Sequence, residues 1–142
     1  MIYSEMVKKA SLIAFDAHKD DLDKGGYPYV MHPFYLAFGM DGENAVCVAL
    51  LHDVIEDHGY KYPLEYLSRE GFNEEIISAL KLLTHDPSVP YMEYVKAIGE
   101  NEIARKVKIA DLTHNSDPAR LQGKAPRKAD LYREALAYLT SL

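Results

Sequence analysis

The chain has no tryptophan and a single cysteine, Cys47. One cysteine cannot form an internal disulfide or a thiolate-rich metal site. Cys47 also lies inside the apolar run Ala45–Leu51, where a thiol is a small core side chain and not a nucleophile. Long hydrophobic runs are missing too: nothing approaches the ~20 residues of a membrane-spanning helix. The start, Met1-Ile2-Tyr3-Ser4-Glu5, has neither the basic nor the apolar region of a signal peptide. A cytoplasmic protein with no membrane partner is expected. Positive charge is scarce, with 16 Lys and Arg against 22 Asp and Glu, a net charge of −6 and no dense basic block. That excludes a nucleic-acid footprint. A phosphorylated small molecule remains compatible if a metal ion and a few local cations meet its charge.

Apolar residues make up 48% of 142, enough for one buried core and too short a chain for two. Residues 1–142 are expected to form a single compact domain. Strand alternation is absent, and the periodicity is helical nearly throughout. Met6, Val7, Ala10, Ile13, Ala14 and Ala17 share one face of a helix over residues 4–19. Lys24-Gly25-Gly26-Tyr27-Pro28 breaks it. Pro33 suits the first turn of a second helix, with His32 just outside it. Asp41 suits the cap of a third, expected to continue through His52–Asp57 until His58-Gly59. Further helices are expected over 64–69, after Asn73, over 91–98, from Asn101 to about Asn115, and over 128–140, with 117–126 irregular. The fold class is all-α.

His52-Asp53-Val54-Ile55-Glu56-Asp57 brings an imidazole and three carboxylates to the end of an apolar helix. Such groups cannot enter a core uncompensated, and carboxylates at a helix C-terminus oppose its dipole. A cation would offset both, and mixed imidazole and carboxylate donors suit Mn²⁺ or Fe²⁺. On one helix His52 would stack above Glu56, and Asp53 above Asp57. Other ligands must come from elsewhere. The candidates are His32 and Asp111, an aspartate among the apolar residues of Val107-Lys108-Ile109-Ala110-Asp111-Leu112. Lys108, Asp111 and Asn115 form a polar stripe at three- and four-residue spacing.

His32, then His52-Asp53, then Asp111 resembles the H…HD…D signature of the HD superfamily of metal-dependent phosphohydrolases. Ala17-His18-Lys19, Lys24, Tyr27–Pro33, Ala49–Asp57 and Val107–Asn115 more narrowly resemble the hydrolase domain of RelA/SpoT-type enzymes and the small stand-alone (p)ppGpp hydrolases. The resemblance covers about residues 8–140. It implies a helical HD-type domain in which His32, His52, Asp53 and Asp111 bind Mn²⁺. Glu56 and Asp57 would orient or deprotonate water, Glu56 first. Lys24 would meet substrate phosphate, and Asn115 would contact the nucleotide. Lys108 is a further candidate for neutralising phosphate charge. The activity implied is release of pyrophosphate from the 3′ position of a guanosine nucleotide. One position departs from the family: Asp23 stands where an arginine normally packs on the guanine base.

Each signal has a plainer reading. Glu56 and Asp57 also suit a solvated helix end, Lys24 an exposed loop, Asn115 a helix cap, and Lys108 a simple ion pair. His18, His58, His85 and His114 read as structural or surface residues. The alternatives to the leading function are an HD-type nucleotidase or phosphomonoesterase on another phosphorylated nucleotide, and a non-catalytic nucleotide-binding module. A cyclic-dinucleotide phosphodiesterase has only a displaced look-alike of its Gly-Tyr-Pro element at Gly26-Tyr27-Pro28.

Overall fold

The third helix, hydrophobic all round, organises the molecule. In a computed structural model describing residues 1–142, every residue from Ala45 to Leu51 is buried. A helix apolar on all faces must be enclosed. The surrounding elements are α1 (Glu5–His18), α2 (Met31–Phe38), α6 (Glu74–Leu83) and α8 (Glu102–Asn115), all packed on α3 (Glu43–Leu51). The remaining helices are α4 (Val54–His58), α5 (Leu64–Arg69), α7 (Tyr91–Gly99) and α9 (Ala129–Thr140), with a 3-10 turn at Pro118–Leu121. No strand forms beyond an isolated bridge between Leu22 and Pro28.

Local chemistry sets most boundaries. The Ser4 hydroxyl accepts from the Val7 N–H at the start of α1. Asn73 and Asn101 cap α6 and α8 in the same way, through Ile76 and Ala104. Each satisfies an N–H that the first helical turn leaves unpaired.

Three expectations are corrected. Gly42, not Asp41, occupies the N-cap of α3, at φ 90° where glycine is favoured. His32 lies within the first turn of α2, after an N-cap at Val30. The helix expected to run on to Asp57 is broken: α3 stops at Leu51, and α4 starts at Val54. The break has a visible cause. The His52 Nδ1–H donates to the Ala49 carbonyl at 2.7 Å, taking the acceptor that the next backbone N–H would have used. Glu56 and Asp57 therefore sit in the first turn of a new helix and not at the end of an old one. The dipole argument reverses there, since carboxylates are favoured in a first turn.

Candidate active site

Three segments converge beside α3. His32 comes from α2, His52 and Asp53 from the α3–α4 break, and Asp111 from the middle of α8. One donor atom from each lies within 4.8 Å of all the others. His32 Nε2 is 2.9 Å from Asp111 Oδ1. His52 Nε2 is 3.0 Å from Asp53 Oδ2 and 3.4 Å from Asp111 Oδ1. His32, His52 and Asp111 are buried.

The Ala49 carbonyl can only accept, so the donor on His52 is Nδ1, and Nε2 is left to face the carboxylates. Nε2 is buried and finds no aligned hydrogen-bond partner. A buried nitrogen without a partner is costly, and here it points at two carboxylates that a shared cation would bind together with it. The four donors fit a divalent metal ion by type and by convergence.

The electrostatics agree. Burial opposes charge on His52, but Asp53 and Asp111 overcome it and hold the imidazole well above its ordinary pKa. Burial would raise Asp111, yet Lys108, His32 and His52 hold it well below the usual carboxylate range. A metal ion would compete with those protons.

Neighbouring side chains orient these four residues. Lys108 Nζ and Asn115 Nδ2 donate to the two oxygens of Asp111 at 2.9 and 3.0 Å. The Tyr29 hydroxyl donates to Asp53 Oδ2. His32 Nδ1 lies 2.7 Å from His114 Nδ1, with the rings near-parallel. Burial, then Arg120, lowers His114 to a pKa of about 4, so its neutral ring can accept from His32.

A cavity of about 580 Å³ adjoins the cluster through Tyr29, Asn115 and Asp57, a volume suited to a nucleotide-sized ligand. Lys24 and Asn115 line it, as does Asp57, whose carboxyl is pushed up to about 6 by burial and then by Asp53 and Glu56. Asp57 is nevertheless exposed at the cavity mouth, where solvent relaxes part of that effect. Glu56 turns toward the loop after α6, where its Oε1 accepts from the His85 N–H at 3.0 Å. Lys108 bonds Asp111 and lies outside the cavity lining.

Two contributors were not singled out from the sequence. Arg120, in the stretch read as irregular, reaches Asp23 at 3.4 Å and Asn115 Oδ1 at 2.9 Å. It thereby offsets the Asp23 carboxylate on the cavity wall. No local pattern links residues 97 apart. The contact also depends on Gly25, because a Cβ there would stand 2.0 Å from the Arg120 carbonyl oxygen. His114 had a readable signal, since it follows Asp111 by three residues on the same helical face.

An all-helical domain with this His/Asp cluster over a nucleotide-sized cavity defines the class: an HD-type metal-site fold. No family model matches the chain. Among curated proteins, it is 31% identical to a probable GTP pyrophosphokinase of Mycobacterium leprae, over 96% of this chain and 19% of that protein. It is 34% identical to the bifunctional (p)ppGpp synthase/hydrolase SpoT of Escherichia coli, over 77% of this chain and 17% of that one. A guanosine-3′,5′-bis(diphosphate) 3′-pyrophosphohydrolase of Haemophilus influenzae matches at 32%, over 73% of this chain and 17% of its own length. The chain thus spans less than a fifth of each of these relatives. Among solved structures, one described as a metazoan orthologue of SpoT that hydrolyses ppGpp shares the fold. It has a TM-score of 0.73 and 20% identity, covering 98% of this chain and 87% of that one. The chain belongs with the HD-type domain of RelA/SpoT-type proteins.

Proposed function

We propose that this chain is a Mn²⁺-dependent 3′-pyrophosphohydrolase of the (p)ppGpp type, acting as a single cytoplasmic HD domain over residues 1–142. The observation that carries the reading is the convergence of His32, His52, Asp53 and Asp111, one donor atom of each within 4.8 Å of the others, beside a cavity lined by Lys24, Asp57 and Asn115. The relatives named as (p)ppGpp hydrolases support the substrate.

His32, His52, Asp53 and Asp111 would hold the ion, which when bound supplies Lewis acidity and an acidified water. Asp57, on the cavity wall and with its carboxyl near pKa 6, takes the water proton. Glu56, anchored by the His85 N–H, is the neighbouring carboxylate of that pair. Lys24 meets the phosphate charge, and Asn115 orients the nucleotide while holding Asp111. Lys108 acts on Asp111 through their ion pair. The water oxygen bonds to the phosphorus as the 3′ P–O ester bond opens, the 3′ oxygen gains a proton, and nucleotide and pyrophosphate leave.

The experiment is pyrophosphate release from ppGpp with and without Mn²⁺, beside a His52→Ala control. Metal-dependent release that disappears in the control is expected. No release from a metal-loaded wild-type protein refutes the substrate assignment. Asp23 in place of the family's arginine favours one second reading, an HD-type nucleotidase acting on another base. Equal or faster turnover of other phosphorylated nucleotides would select it.

A further inference from the structure

We propose that His18, Asp21 and His58 form a second site for a divalent transition-metal ion, distinct from the His32–His52–Asp53–Asp111 cluster and facing the same cavity. The three residues come from the end of α1, the loop that follows it and the end of α4. Asp21 Oδ2 stands 3.1 Å from His18 Nδ1 and 2.6 Å from His58 Nε2. One donor atom of each lies within 4.8 Å of the other two. Two imidazole nitrogens and one carboxylate oxygen make a three-ligand set of the zinc type, with a fourth position left for water or a substrate oxygen. Asp21 lines the cavity, so that position opens toward the ligand space.

Three further observations point to an ion. Asp21 has no lysine or arginine partner; its only ion-pair neighbours are the two histidines. His18 is fully buried and turns Nδ1 to Asp21 Oδ2 at 3.1 Å, so that carboxylate is the one hydrogen-bonding group its ring meets. His58 Nδ1 lies 3.2 Å from the Tyr60 hydroxyl, which can accept its proton and leave Nε2 as the ligand atom. Tyr29 separates the two clusters: it packs on His18 at 4.8 Å between ring centroids and donates to Asp53.

The cavity charge gives the ion a purpose. Asp20, Asp21, Asp23 and Asp57 line it against only Lys24 and Arg120, and Arg120 already pairs with Asp23. A polyphosphate would meet more negative than positive charge there. A second divalent cation on the Asp21 wall corrects that balance and offers a ligand position to a phosphate oxygen. This role rests on the hydrolase reading; the metal site itself does not.

The test is metal stoichiometry of the full chain. Metal-free protein is loaded with Co²⁺ or Zn²⁺, freed of excess by gel filtration and analysed for metal content, and Co²⁺ absorption reports four-coordinate geometry. Wild type is expected to retain two equivalents. His58→Gln, Asp21→Asn and His52→Ala are each expected to retain one, and His52→Ala/His58→Gln none. A single equivalent in the wild type overturns the proposal, and so do two equivalents retained in both His58→Gln and Asp21→Asn. A single wild-type equivalent overturns the proposal even if a variant fails to fold. Pyrophosphate release is measured on the same preparations. Two equivalents without release would keep the site and remove the substrate reading, whereas one equivalent with release would do the reverse.

Discussion

Replacing His114 with phenylalanine isolates one hydrogen bond from one ring stack. His114 packs face to face on Tyr35, with centroids 4.1 Å apart, and a phenyl ring preserves that contact. What it loses is the acceptor 2.7 Å from His32 Nδ1. His32 is 1% exposed, so water cannot replace the lost partner. A buried N–H left unpaired costs about 1–3 kcal/mol. Loss of an orienting partner behind a ligating histidine weakens metal binding by about 10- to 100-fold, equivalent to ~1.4–2.7 kcal/mol. Calorimetric titration of metal-free protein with Mn²⁺ should show that loss, while kcat at saturating metal stays within a few fold of wild type. Urea unfolding of the metal-free protein should show destabilisation within the same 1–3 kcal/mol. His114→Asn, whose amide oxygen can accept from His32, should recover part of the affinity. Unchanged metal affinity in His114→Phe would refute the view that His114 positions His32.

The pH dependence should follow Asp57. Its carboxyl is raised to about 6, so kcat should climb as pH rises through that value, and Asp57→Asn should remove the climb. Because the folded pKa lies above the unfolded one, the stability Asp57 contributes is present at low pH and lost as pH rises through about 6. Asp57→Asn should therefore raise Tm above that pH, and a lower Tm there would contradict the burial argument. Arg120→Ala releases Asp23 and Asn115; at ~1.5–3 kcal/mol for a charged hydrogen bond, KM for the nucleotide should rise about 10- to 100-fold with a smaller change in kcat. Adding Asp23→Asn should restore part of that loss, and no restoration would mean that Asp23 and Arg120 act independently. Leu50→Ala, at a fully buried position of α3, should cost about 2–5 kcal/mol in urea unfolding.

Much of the architecture was legible in the chain because helix periodicity and capping are local. Asn73 and Asn101 each sit one residue before a helix whose first turn they complete. The apolar run Ala45–Leu51 marked a central helix with no solvent face. The expected polar stripe on α8 is real, with Lys108 and Asn115 both bonded to Asp111. The break at His52-Asp53 was not readable. It depends on a side chain competing for a backbone carbonyl, and composition and periodicity do not register that exchange.

The sequence alone determined that this is an all-α chain of RelA/SpoT type and named the four side chains, His32, His52, Asp53 and Asp111, that converge beside α3. Those properties reside in residue type and spacing along single elements. Only the tertiary structure decided which side chains serve those four. Asp57 rather than Glu56 lines the cavity, Lys108 is committed to Asp111, and Arg120 answers Asp23 from across the chain. His18, Asp21 and His58, scattered among plain structural residues in the sequence, meet in one place. The physical reason is distance. Packing α1, α2 and α8 on α3, and α4 on α1, brings together groups up to 97 residues apart, and no local pattern encodes their contact.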